Sequence, residues 1–406
     1  MNYFVSLTLA LALLAPSAPA SARTNTSTST STVPVPQDNQ IAPYQDRFGR
    51  ARPVVAVVGG NTGTELSDFV VPYAILAQSG AADVLALAAG PGPMKLSPSL
   101  RIAPHATLAT FDQRFPEGAD YVIVPAMAEA VDAALVEWVR AQAAKGATIV
   151  SICDGALVAA RAGVFRGRRA TGHWATRARR EREFPDTTWL ANVRYVADGK
   201  AVSSAGISAA IPTALALVEA IAGRARADAV AASIGAAGWS DRHDSARFSL
   251  SAGMLATFAR NKLFNSVEAL GIPLQAGVDE LALALATDAL ARTRRARAYL
   301  VGAADTGDAP VRSRHGLEIL PEPRTSLAAL QLRSIALAEL TSAHATPLDS
   351  ILLRIEQRYG RASAKLAADE MEYPLAPATV PAAAPAPTRV DPNARPAAVP
   401  AAAAPP

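Results

Sequence analysis

The chain holds one cysteine in 406 residues. An internal disulfide is therefore excluded, and so are zinc sites built on paired cysteines. Histidine is scarce as well, with five residues. His105, His173, His243, His315 and His344 are scattered without ligand spacing, so neither a metal site nor a cofactor is expected. No charge of one sign dominates: 39 Lys and Arg against 35 Asp and Glu leave a formal +4. The densest charge run, Thr176 to Glu183, mixes signs and reads as a solvated helix face, so nucleic acid is not an expected partner. Long apolar runs are missing beyond the first residues. Phe4 to Leu14 is apolar over about eleven residues, where a spanning helix needs roughly 20. With the small residues ending Ala20-Ser21-Ala22 it follows the pattern of a signal peptide over 1–22, although Met1-Asn2-Tyr3 carries no Lys or Arg. A periplasmic or secreted protein is the expectation.

What is present is a globular composition, 50% apolar and 18% charged, between two low-complexity ends. Residues 23–50 are rich in Thr, Ser, Pro and Gln and read as a disordered leader. Residues 374–406 are almost wholly Ala and Pro and read as a disordered tail. Between them, Pro53 to Val58, Asp83 to Ala89, Ala119 to Pro125 and Ala147 to Ile152 are short buried-strand patterns. Helical spacing runs from Glu65 to Ser79, from Ala130 to Lys145 and from Gly155 to Arg161. Strands alternating with helices predict an α/β fold, a doubly wound parallel sheet covered on both faces. Ligands in such sheets bind at the carboxyl ends of the strands.

The lone thiol, Cys153, falls at the turn between a buried strand and a helix, in Ser151-Ile152-Cys153-Asp154-Gly155-Ala156. By composition it is an inert packed thiol, half of an intermolecular bridge, or a reactive group. Its position is that of a nucleophile elbow, which lifts a side chain over the sheet edge. A helix start also favours thiolate.

Three stretches carry a resemblance: SICDGALVAARAGVFRGRRATGHW (151–174), FPDTTW (184–189) and YVADGKAVSSAGISAAIPTALALVE (195–219). Together they resemble the ThiJ/PfpI superfamily, with its class I glutamine-amidotransferase-like, flavodoxin-like fold. Within it the look is closest to the isonitrile hydratases and to the amidase-like domain of AraC-type regulators. The resemblance implies a domain over 51–245, with Cys153 as the elbow cysteine and Asp68 as the acid that hydrogen-bonds it. Protonated, Asp68 would donate to a thiolate; ionised, it would act as a general base. Asp154 stands where peptidase-like members carry His, so a peptidase has lost its base. Asp154 is either an acid at a helix start or a second carboxylate in the site that raises the thiol pKa. The family's Gly-Gly oxyanion loop is here Pro125-Ala126-Met127, with Ala126 and Met127 expected against a substrate. His173 lies in the family's Thr-x-His-Trp stretch, as a packed residue or a substrate contact.

The rest of the chain holds an echo. Glu280-Leu281, Ala296 to Ala304 and His315 to Pro321 follow the order of Glu65-Leu66, the strand from Asp83, and Ser99 to Pro104. Leu352 to Glu356 with Gly360-Arg361-Ala362 echoes Leu215 to Glu219 with Gly223-Arg224-Ala225. A degenerate, truncated second copy is therefore expected over 255–372. It lacks the third strand and the elbow, and Leu283 stands at the position of Asp68. The superfamily pairs as dimers, which implies either a homodimer or intramolecular pairing of the two copies. The copy also occupies the place of the regulators' DNA-binding region. Three functions stay open: a cysteine-dependent hydratase or hydrolase on a small C–N substrate, a non-catalytic ligand-binding or sensor protein, and a redox protein using a reversibly oxidised Cys153.

Overall fold

The computed structural model describes residues 39–128, 132–302, 308–328, 330–341 and 347–375. The expected signal peptide, residues 23–38 of the leader, the tail from 376 and His344 lie outside the described residues.

A seven-stranded sheet forms the centre. Its first strand, β1 (Val54–Gly59), is buried at every residue. Side chains alternate between its two faces. Val55 and Val57 pack in one hydrophobic cluster with Phe69, Val70 and Leu215, while Val54, Ala56 and Val58 pack in a second with Leu135, Trp138 and Phe165. Burial on both faces is why this strand reads as an unbroken apolar run rather than an alternating one.

Helix α1 (Leu66–Ser79) follows. Glu65 caps its start by accepting the Asp68 N–H at 2.6 Å, and Gly80, left-handed at φ 65°, ends it. Next come β2 (Asp83–Ala88), the antiparallel pair β3 (Met94–Ser97) and β4 (Leu100–Ala103), and the short β5 (Ala106–Thr107). Then β6 (Tyr121–Val124), helix α2 (Ala133–Ala144), β7 (Thr148–Ser151) and helix α3 (Gly155–Arg161) cover the next crossovers. Helix α4 (Arg177–Glu183) precedes the antiparallel pair β8 (Tyr195–Asp198) and β9 (Ala201–Ser204), and helices α5 (Ala210–Ala222) and α6 (Arg224–Ser233) close the domain. The sheet order is β8-β9-β7-β6-β1-β2-β5, parallel except at the β8–β9 edge. The chain winds one way from β1 to β2 and the other way from β6 to β7. The loops after β1 and β6 therefore diverge and leave a crevice at the carboxyl ends of the strands.

Beyond this domain lie β10 (Glu268–Pro273), helix α7 (Glu280–Arg292), β11 (Ala296–Val301), β12 (Val311–Arg312), β13 (Glu318–Leu320) and helices α8 (Pro347–Tyr359) and α9 (Arg361–Glu370). Helix α7 packs on α1, and β13 pairs with β4, so the two parts share one core.

Two expectations need correction. Residues 39–50 are not a loose leader. Asn39 Oδ1 accepts the Ala197 N–H at 3.0 Å, the Tyr44 N–H donates to Ala220 O at 2.8 Å, Ile41 is buried, and Arg50 pairs with Asp120 at 2.8 Å. Composition misled because a few side chains and backbone groups anchor an otherwise polar stretch. The run Thr176 to Glu183 is not uniformly solvated either. Arg177 and Arg179 pair with Glu181 and Glu183 at the surface, but Arg180 is buried at 2% exposure.

Candidate functional site

Strand β7 delivers Cys153 to the crevice. Its backbone is left-handed, φ 56°, the strained conformation expected of an elbow. The turn is possible because residue 155 is glycine: a Cβ there would lie 1.9 Å from Val124 O. The Cys153 N–H donates to Ser204 Oγ at 3.2 Å, which ties the elbow to β9. The thiol is 5% exposed.

Facing it is a buried acidic group on α1. Asp68 is fully buried, and its Oδ2 accepts the Ala126 N–H at 3.1 Å. Its Oδ1 is buried with no hydrogen-bond partner among the described residues, so the hydrogen bond expected between Asp68 and the Cys153 thiol is not formed, and Asp68 acts on the thiol through its charge alone. Burial, the largest influence, pushes the Asp68 carboxyl up to about 8, against the lowering effect of the Ala126 hydrogen bond. Asp68 therefore holds its proton at neutral pH. Glu65, one helical turn earlier, is likewise raised well above the carboxylate range by burial and by Asp288 and Asp68. The Cys153 thiol is raised as well, first by burial, then by Asp68, Asp154 and Glu65, with the Asp154 N–H and the Arg180 guanidinium working the other way. The helix start does not lower this thiol, because burial and three nearby acids outweigh one backbone donor.

The other residues singled out in the sequence occupy different roles. Ala126 holds Asp68, and its carbonyl accepts the Glu65 N–H at 2.9 Å, so its amide is already engaged. An oxyanion contact from that N–H would require Asp68 to let go. Met127 lines a cavity of ≈ 240 Å³ with Gly60, Asn61, Thr62 and Leu135 at the end of β1, beside the elbow rather than at it. Asp154 makes no cap hydrogen bond to α3. Its Oδ1 accepts from Thr176 Oγ1 and lies 3.7 Å from Arg180 Nη1, so the carboxylate faces α4. His173 is buried with both ring nitrogens on backbone groups: Nδ1 accepts the Ala175 N–H at 3.2 Å, and Nε2 is 3.1 Å from Glu370 O. Its ring lies 5.4 Å from that of Trp174. These contacts are those of a packed histidine. No cluster of three or more metal-ligating side chains occurs among the described residues.

Residues 54–220 match the sequence model of the DJ-1/PfpI family. They form a DJ-1/PfpI family domain. A stretch of 94 residues is 35% identical to isonitrile hydratase of Pseudomonas putida, covering 23% of this chain and 39% of that protein. A stretch of 89 residues is 36% identical to the HTH-type transcriptional regulator CdhR of Pseudomonas aeruginosa, covering 22% of this chain and 26% of that one. The chain thus spans well under half the length of the curated relatives it matches. Among solved structures, a ThiJ/PfpI family protein of Pseudomonas syringae matches at 24% identity and TM-score 0.40, over 45% of this chain and 74% of its own. DJ-1beta of Drosophila melanogaster matches at 22% identity and TM-score 0.40, over 45% of this chain and 96% of its own.

Several groups at the DJ-1/PfpI site escaped sequence reasoning. Glu65 had a signal, since it stands three residues before Asp68 at the same helix start. Ser204, Arg180 and Arg292 had none. Arg292, on α7, reaches Glu65 Oε1 at 2.8 Å and Asp288 Oδ1 at 2.9 Å, and Asp288 Oδ2 accepts from Ser67 Oγ at 2.7 Å. Glu372, just after α9, accepts the Gly206 N–H at 2.7 Å and His243 Nε2 at 2.8 Å. Both contacts join residues more than a hundred positions apart in sequence.

Proposed function

We propose that the protein is a cysteine-dependent hydratase or hydrolase acting on a small C–N substrate, with Cys153 as the attacking thiol and Asp68 as its acid. One observation carries this reading: the only cysteine sits on a left-handed elbow beside a buried, protonated carboxyl that has one oxygen uncommitted. In the reaction, Sγ bonds to the unsaturated carbon while one proton is delivered to the substrate through Asp68, and the thiol's own proton re-protonates the acid. Water then adds to the same carbon, the C–S bond breaks, and the thiol is restored. The likeness to isonitrile hydratase supports a C≡N-type carbon as the target. A raised thiol pKa suits an acid-assisted addition better than a redox sensor, which needs an accessible thiolate.

One observation favours a second reading, a ligand-binding domain without turnover. The Ala126 N–H is spent on Asp68, which leaves the Asp154 N–H as the donor at the elbow. The signal-like N-terminus supports export for either reading. The test is alkylation of Cys153 against pH, together with turnover of a small isonitrile or nitrile. We expect slow alkylation at neutral pH, accelerated up to about tenfold in Asp154→Asn, which removes one of the charges opposing the thiolate. Turnover should vanish in Cys153→Ser and Asp68→Asn. Tight binding with no turnover in the wild type would overturn the enzyme in favour of the binding domain.

A further inference from the structure

The second part of the chain repeats the first in three dimensions. Strand, helix and strand begin at Val54, Leu66 and Asp83 in the first part, and at Glu268, Glu280 and Ala296 in the second. Strand β10 pairs parallel with β11 just as β1 pairs with β2. Helices α5 and α6, of 13 and 10 residues, are joined at Gly223 with φ 84° and ψ 163°. Helices α8 and α9, also of 13 and 10 residues, are joined at Gly360 with φ 82° and ψ 158°. Two glycines in the same unusual conformation, each between helices of matching length, point to one ancestral unit.

The repeats meet through corresponding elements. Helix α1 packs on its counterpart α7. Strand β4 pairs antiparallel with β13, Ile102 opposite Ile319, Arg101 opposite Leu320 and Ala103 opposite Glu318. In the aligned motifs Leu100 to Pro104 and Leu317 to Pro321, Arg101 corresponds to Glu318 and Ala103 to Leu320. Each residue thus pairs with the counterpart of its partner's position, as a two-fold interface requires. The arrangement is that of a subunit interface contained in one chain.

That interface ends at the acidic site. Arg292 is 6% exposed at its side chain and bridges Glu65 of α1 at 2.8 Å, Asp288 of α7 at 2.9 Å and Glu370 of α9 at 3.6 Å. Glu65, through its other oxygen, accepts the Asp68 N–H at 2.6 Å. Arg294 holds Glu370 through both carboxylate oxygens, at 2.9 Å each. We propose that the segment from Glu268 to Glu370 is a truncated internal copy serving the first domain as a built-in partner subunit, and that Asp288 and Arg292 on its helix α7 are positioning residues that hold Glu65 and, through it, Asp68. The third strand expected to be missing survives in shortened form: Arg333–Ser334 pairs parallel with β10 on the edge away from β11, as β6 pairs with β1, and the copy has no elbow cysteine, because its remaining task is to present this face. The inference rests on the reading of Asp68 as the acid partner of Cys153.

The charges around Asp68 define the test. Glu65 faces it from its own helix, Asp288 and Arg292 from α7, and Cys153 from the elbow, while the Asp154 carboxylate is turned to α4; Glu370 and Arg294 stand behind Arg292. Arg292 works to ionise Asp68, and Asp288 works against ionisation. The experiment follows the carbonyl stretch of the protonated Asp68 carboxyl by infrared difference spectroscopy against pH in the full chain, assigned by its loss in Asp68→Asn. In Arg292→Gln the titration should move up by about one pH unit or more, in Asp288→Asn down by a similar amount, and Arg292→Lys should stay near the wild type. Opposite shifts are what a purely structural role would not produce. If Arg292→Gln does not fold, Asp288→Asn decides by itself, since its amide oxygen can still accept from Arg292 and its side chain can still meet Ser67. No shift, or shifts of one sign in both variants, would overturn the proposal. The titration is read without substrate, so a failure of turnover would sink the enzyme reading alone.

Discussion

Replacing Asp68 by Asn should stabilise the protein at neutral pH and leave it unchanged in strong acid. The carboxyl is fully buried, and burial raises it from 3.8 to about 8. Holding a proton over that range corresponds to about 6 kcal/mol at roughly 1.4 kcal/mol per pH unit, about 4 kcal/mol of it reached by pH 7. The sign follows from proton counts. Between about pH 4 and 8 the folded state keeps the Asp68 proton and the unfolded chain has released it, so the folded state binds more protons and stability falls as pH rises. Asn is neutral throughout, and its oxygen still accepts the Ala126 N–H. Urea unfolding of both proteins from pH 4 to 9 reads the difference, with contributions common to both cancelling. We expect the variant's advantage to grow by about 1.4 kcal/mol per pH unit and to level off above about pH 8. An advantage independent of pH, or a variant less stable at every pH, would refute the claim that Asp68 is folded in its protonated form.

Two further outcomes follow from the packing. Gly155→Ala places a Cβ 1.9 Å from Val124 O, a backbone atom that cannot swing aside; we expect a loss of at least about 3 kcal/mol by thermal or urea unfolding and faster alkylation of Cys153, toward the rate of an unfolded thiol. Glu372→Gln should cost about 2 kcal/mol, because it weakens the buried hydrogen bonds to His243 and the Gly206 N–H. Burial alone would raise Glu372, but His243 and the Gly206 N–H hold it below the usual carboxylate range. Its contribution is thus present above the unfolded carboxyl range and lost as pH falls through the folded value, so the wild type but not the variant should show that acid-side decline.

The apolar strands, the Ala-rich crossover helices and the strand-to-helix turn at Cys153 were legible because each depends on local pattern. Period, caps and glycines are properties of neighbours in sequence. Asp68 was legible only through resemblance, since one acid in a first helical turn has an ordinary explanation in the helix dipole. The state of the site was not legible. The sequence suggested a thiolate favoured by a helix start; the fold encloses Cys153 and crowds it with carboxyls, which reverses the sign. The oxyanion loop read as an altered donor; in the structure the Ala126 amide is committed to Asp68.

By itself the sequence determined the α/β order of elements and the elbow, and gave rise to two expectations, the pairing of Cys153 with an acid of α1 and the echo of a repeat. Only the tertiary structure decided that the echo returns to the first domain, that Arg292 and Glu372 arrive at its site from the far end of the chain, and that Asp68 keeps its proton. The reason is physical. Strand and helix formation follow from contacts a few residues apart, whereas a buried charge takes its energy from whatever distant groups and solvent exclusion the packed chain brings to it.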